Sequence, residues 1–195
     1  NIFILTNHLQ EAEVRRQAAE LPAENIVAEP ARRDTAPAVA LGVGLIAARD
    51  PQANMIIIPS DSLILDDNAF RALAEDALSL AGREAALITI GIKPTWACPS
   101  YGYIERAGKL EDAALTHNCY EVVRFREKPD AATAAGYLAS GNFSWNAGMF
   151  IWNVAHVRSQ LSCHSPELAS FIDRLTTASD IPAFIGSDFP QLTPI

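Results

Sequence analysis

The sequence predicts a layered α/β fold: a mostly parallel, central mixed sheet with helices on both faces. Short apolar runs alternate with helix-length periodic stretches through the first half of the chain, the rhythm of strands joined by right-handed crossovers. The runs are apolar throughout rather than alternating, as in Met55-Ile56-Ile57-Ile58, which suits strands covered on both faces. With 195 residues, 49% apolar and 19% charged, the chain is long enough and apolar enough to bury a sizeable core.

Each element has its own signal. Ile2 to Leu5 reads as a buried strand, and Glu11 to Leu21 as a helix closed by Pro22. Ile26 to Ala28 is a second strand. A helix follows from Pro37 to Arg49, with Asp34 or Thr35 as its cap and Pro37 suited to its first turn. It is apolar nearly all round, so it is expected to be buried on most faces. Met55 to Ile58 is a strand stopped by Pro59. After Asp66 or Asp67, the residues Phe70, Leu73, Ala74, Ala77 and Leu78 recur at helical spacing up to Gly82. Ala86 to Ile92 is again a strand. Beyond Pro94 the pattern turns antiparallel or mixed, with strands at Tyr101 to Arg106 and Tyr120 to Arg126 and a turn at Ala107-Gly108-Lys109. Asp130 caps a short helix that Gly141 ends, Ala147 to Trp152 returns to strand, and Ser165-Pro166 opens a helix with Leu168, Phe171, Ile172 and Leu175 on one face.

Composition narrows the function. Lys and Arg total 15 against 23 Asp and Glu, a formal charge of −8 with no basic cluster, so a nucleic-acid partner is not expected. The uncharged stretch from Ala131 to Val157 is no membrane span, because glycines and amides interrupt it. The 3 cysteines, Cys98, Cys119 and Cys163, form no C-x-x-C pair; a reducing, cytoplasmic setting is expected, without zinc. The histidines share no ligand spacing and are assigned no role.

Several places could carry chemistry. Asp61, in Pro59-Ser60-Asp61-Ser62, follows the carboxyl end of a buried strand, where ligands bind in open α/β sheets, and its carboxylate suits Mg²⁺. The stretch Glu29 to Ala38 sets two arginines and a carboxylate beside a helix N-terminus, a pattern that attracts anions. Phe125-Arg126-Glu127-Lys128-Pro129 offers an ammonium for a phosphate and a carboxylate for sugar hydroxyls. Gly141 to Phe150 mixes amides, aromatics and glycines, and Asn146 can both donate to and accept from a hydroxyl. Each also has a plain structural reading as a capped turn, a solvated strand end or a tight turn before a strand.

In this order the segments resemble the sugar-1-phosphate nucleotidyltransferase family, and within it the members that join GTP to mannose 1-phosphate. The resembling stretches are Glu29-Pro30-x-x-Arg33-x-Thr35-Ala36-Pro37-Ala38, Pro59-Ser60-Asp61, Gly91-Ile92-Lys93-Pro94, Tyr101-Gly102-Tyr103-Ile104, Phe125-x-Glu127-Lys128-Pro129 and Trp145-Asn146-Ala147-Gly148-Met149-Phe150. The resemblance implies a Rossmann-like fold of the nucleotide-diphospho-sugar transferase type, one domain across 1–195. It implies in-line attack of the sugar phosphate on the α-phosphorus of GTP, giving GDP-mannose and pyrophosphate. Asp61 and Lys128 are then the catalytic residues, with Asp61 holding Mg²⁺. Glu29, Arg33, Thr35, Ala36 and Pro37 meet the nucleotide; Tyr101, Gly102, Glu127, Lys128 and Asn146 meet the sugar phosphate. A homo-oligomer is compatible with this reading.

The sequence departs from the family pattern at Asp34, where Asn is usual, at Ser62, where His is usual, and at Pro99-Ser100, where Thr-Gly is usual. The family's Gly-rich, Arg-containing phosphate loop is expected upstream of Asn1 and its second metal-binding Asp downstream of Ile195, so the domain is expected to be incomplete at both ends, with little or no activity from these residues alone. Two other readings stay open. One is a regulatory homologue that binds a sugar nucleotide without catalysis; the other is a glucose-1-phosphate uridylyl- or thymidylyltransferase. Asp61 and Lys128 favour an enzyme, while Thr35-Ala36-Pro37-Ala38 and Trp145-Asn146 favour guanylyl and mannose.

Overall fold

In the computed structural model, which describes residues 2–195, residues 2–53 with Val154–Ile195 form one compact unit and Asn54–Asn153 a second. In the first unit, strand β1 (Ile4–Asn7) pairs in parallel with β2 (Ile26–Glu29), and helix α1 (Glu11–Gln17) makes the crossover between them. Asn25 secures this corner: its side-chain amide donates to the Ile2 carbonyl at 2.8 Å and accepts from Arg49 at 2.7 Å. Helix α2 (Thr35–Ala47) buries Ala40, Leu41, Val43 and Leu45, as its all-round apolar sequence predicts.

Three helices complete this unit: α5 (Val154–His164), α6 (Pro166–Thr177) and α7 (Ile181–Asp188). Helix α2 lies against α6, where a Cβ on Gly44 would come within 3.2 Å of Leu175. Leu168, Phe171, Ile172 and Leu175 of α6 are all buried, on the face their spacing marks. Neither α5 nor α7 is among the helices expected from the sequence. Helix α5 starts directly where the preceding strand ends, with no capping signal, and α7 is a short helix whose cap is the Asp180 side chain accepting from the Ala183 amide.

The second unit carries a five-stranded sheet. It contains β3 (Asn54–Ile57), β4 (Ile88–Ile92), β5 (Tyr103–Leu110), β6 (Cys119–Arg126) and the long β7 (Phe143–Asn153). The pairings of β7 with β3, β4 and β5, and of β5 with β6, are antiparallel. The layered α/β expectation holds, but the mostly parallel sheet is refined. Parallel pairing occurs between β1 and β2, whereas β3 and β4 run alike yet are separated by β7. Strand β5 also runs through Ala107-Gly108-Lys109, where a turn was expected; the register shifts there instead.

Helix α3 (Asp67–Arg83) covers part of this sheet, with Ala77 and Ala81 against Ile151 and against Ile56, Ile88 and Ile90. The Asp66 side chain caps it by accepting from the Ala69 amide at 2.9 Å. Helix α4 (Ala131–Ser140) is capped by Asp130 and ended by Gly141 at φ 74°, both as the sequence predicts. Its Ala134 packs with Tyr103 and Phe143 in a second buried cluster. No helix among the described residues is long and apolar enough to cross a membrane.

Candidate active site

Strand β7 is the frame of the site. The sequence places a strand at Ala147 to Trp152, whereas the strand begins at Phe143. It is held on both edges there: Trp145 lies opposite Ile92 of β4 and opposite Tyr103 of β5, and Asn146 lies opposite Gly91. Partners on two sides override a sequence rich in Asn and Gly, because strand preference follows its pairing environment.

Two glycines let other segments reach this frame. At Gly102 a Cβ would stand 2.7 Å from Glu127 Oε2 and 3.5 Å from the Asn146 Cβ. The missing side chain at position 102 is therefore what admits the Glu127 carboxylate beside Asn146. The Asn146 amide donates to the Gly102 carbonyl at 2.8 Å, which locks the two strands together. Gly148, at φ 68°, holds a backbone conformation that favours glycine, and its amide donates to Asn146 Oδ1 at 3.0 Å. That bond fixes the orientation of the Asn146 side chain. A Cβ on Gly148 would meet Pro59 at 3.2 Å, so the turn carrying Asp61 leaves β3 against β7 at this point. Gly102, Glu127 and Asn146 are thus brought together, with Lys128 next in the chain at a left-handed φ of 41°. Gly148 was within the quoted motif without a role; a glycine inside a strand pattern is the signal of such a close approach.

Aromatic rings support the frame. Tyr101, Trp96 and Trp145 meet edge to face, with ring centroids 5.2 to 6.4 Å apart. Tyr103 is wholly buried, and its hydroxyl accepts from the Cys98 amide at 3.0 Å and donates to the Cys98 carbonyl at 2.9 Å. Trp96 and Tyr103 had no assigned role.

Asp61 is exposed in the turn after β3, and no hydrogen bond or ion pair engages it among the described residues. No group of His, Cys, Asp or Glu among those residues is dense enough to cage a metal. A lone free carboxylate fits Mg²⁺ in one setting, where substrate phosphates and water complete the oxygen shell.

The nucleotide candidates lie in the first unit. Glu29 ends β2 half-buried, and burial pushes its carboxyl above the usual carboxylate range. Arg33 donates through Nε to the Pro190 carbonyl at 3.1 Å and again through Nη2. Thr35, Ala36 and Pro37 form the first turn of α2, with Pro37 buried. Asp34 occupies the position before the helix, as expected, but its side chain makes no capping bond and its φ is 63°. That conformation is costly for any residue with a Cβ, on the order of 1–3 kcal/mol, and such strain collects at functional sites. His117, given no role from sequence, bonds Asp76 through Nδ1 at 2.6 Å and is structural.

The described residues thus set a free carboxylate, Asp61, after β3 and bring Glu127 beside Asn146 at Gly102. The profile of the Nucleotidyl transferase family matches residues 1–188, and the chain belongs to that family. It is 35% identical over 98% of its length to a mannose-1-phosphate guanylyltransferase of Sinorhizobium fredii, covering 36% of that protein. A mannose-1-phosphate guanylyltransferase of Escherichia coli K12 is 36% identical over 87% of this chain, which covers 35% of it. The chain thus spans about a third of the length of these curated relatives. Among solved structures, mannose-1-phosphate geranyltransferase from Thermus thermophilus superposes with a TM-score of 0.82 at 29% identity, over 99% of this chain and 53% of that one. Mannose-6-phosphate isomerase from Helicobacter pylori follows at 0.72 and 26%, over 92% and 68%.

Proposed function

We propose that the protein is a nucleotidyltransferase that condenses GTP with mannose 1-phosphate to give GDP-mannose and pyrophosphate, its two units serving one nucleotidyltransferase domain. The observation that carries this reading is the convergence of Gly102, Glu127 and Asn146 on β7, beside Lys128, in a family whose named relatives act as guanylyltransferases on mannose 1-phosphate.

The chemistry asks little covalent work of the chain. A phosphate oxygen of the sugar ester attacks the α-phosphorus in line, the new P–O bond forms as the bond to the β-phosphate oxygen breaks, and pyrophosphate leaves. Catalysis is positioning and charge neutralisation. Glu127 accepts hydroxyl hydrogens of the hexose, Asn146 offers a donor and an acceptor in one fixed orientation, and Gly102 with Tyr101 bounds the ring. Lys128 neutralises the sugar's phosphate as a compact cation. Glu29, Arg33 and the Thr35-Ala36-Pro37 turn meet the base and ribose. Asp61 would hold Mg²⁺, which supplies positive charge to the reacting phosphates.

The test is pyrophosphate release by the whole protein, with each common nucleoside triphosphate paired against mannose and glucose 1-phosphates. GTP with mannose 1-phosphate is expected to be the productive pair, and Asp61→Asn is expected to lower kcat at least about a hundredfold with the fold intact. Release confined to another pair would replace the substrate assignment. Full turnover in Asp61→Asn at saturating Mg²⁺ would remove the metal assignment.

A further inference from the structure

We infer that Tyr103, through its hydroxyl, is a positioning residue for the hexose subsite: it latches the loop between β4 and β5 so that Gly102 presents its backbone correctly. This rests on the reading of that subsite above.

The ring of Tyr103 is accounted for by packing. It is wholly buried, lies 5.2 Å from the Tyr137 ring and 6.4 Å from Phe143, and sits beside Ala134. A phenylalanine would fill that space equally well. The hydroxyl does something packing does not require. It reaches back five residues and closes both hydrogen bonds of one peptide residue, Cys98, which is 2% exposed. Without it, an amide and a carbonyl would be left unpaired in a dry site, which folded chains avoid. The bond pair therefore pins the middle of the loop to the core under β5.

The far end of the same loop is Gly102, directly before Tyr103. Its carbonyl accepts the Asn146 amide, and its empty Cβ position receives the Glu127 carboxylate. Between the two pinned points the loop carries Tyr101, whose ring meets Trp145, the neighbour of Asn146. Loosening the loop at Cys98 would let Gly102 and Tyr101 shift together, and with them the gap that receives the Glu127 carboxylate. Groups that act on the hexose would be disturbed. The turn carrying Asp61 meets β7 through Pro59 and Gly148 and has no part in the latch.

Tyr103→Phe keeps the ring and removes the oxygen. Steady-state kinetics of the whole protein are expected to show KM for mannose 1-phosphate raised about tenfold, with kcat and KM for GTP within about twofold of the parent. Hydrogen exchange at the Cys98 amide is expected to accelerate in the same variant. An unchanged sugar KM with accelerated exchange would overturn the inference, since the latch would then be structural only. So would a fall in kcat with both KM values unchanged, the mark of lost folded protein. If the parent itself releases no pyrophosphate with any hexose 1-phosphate, the subsite reading fails in that arm alone, and this inference falls with it.

Discussion

At the scale of single residues, the site depends on side chains that are absent as much as on those present. Gly102→Ala would place a methyl group 2.7 Å from Glu127 Oε2, closer than real contacts allow. The flexible carboxylate can swing away, so stability should change little while the hexose contact is lost. The expected result is a rise of about tenfold or more in KM for the sugar phosphate with a nearly unchanged melting temperature. A large drop in melting temperature with an unchanged KM would show that position 102 serves the fold instead. Asp61, Glu127, Lys128 and Asn146 stand out in the sequence as candidates because their types and neighbours are chemically telling. Their mutual geometry was not, because it depends on which strand lies beside which. Tyr103 was invisible from sequence for a related reason: a tyrosine hydroxyl that bonds backbone atoms leaves no pattern that distinguishes it from a tyrosine packed for its ring.

At the scale of elements, most helices were readable from capping and periodicity. Asp66 and Asp130 cap α3 and α4 as their sequences predict, and Gly141 ends α4. Strand β7 was read short because Asn and Gly argue for a turn, and only the pairing with β4 and β5 corrects that. The connection between β5 and β6 is secured to α3 by Asp76, which accepts from the Thr116 amide and hydroxyl and from the His117 amide, and bonds His117 Nδ1. The Thr116 and His117 side chains lead in holding the Asp76 carboxyl far below the usual carboxylate range. A carboxylate depressed in the folded state favours folding above its unfolded value near 4, and that contribution fades as pH falls toward the folded value. Exchange protection at the Thr116 and His117 amides should therefore hold down to about pH 4 and decline only in stronger acid. In Asp76→Asn it should already be reduced at neutral pH. Protection that ignores both the acid and the substitution would mean that the loop is held by something else.

At the scale of the whole molecule, the fold class was legible and the strand pairing only partly so. Alternating apolar runs and amphipathic helices specify an α/β layered chain, but they do not say that β7 would separate β3 from β4 and reverse the local direction. Strand β7 carries Trp145, Asn146 and Gly148 between strands arriving from distant parts of the sequence, so that motifs far apart along the chain meet on one strand. In the proposed function this strand is where the hexose is read. The most direct measurement is a crystal structure of the protein soaked with GDP-mannose. The account expects the mannose ring between Gly102, Glu127 and Asn146, with the diphosphate toward Lys128 and Asp61. A sugar seated away from β7, with Glu127 and Asn146 free of it, would contradict the account.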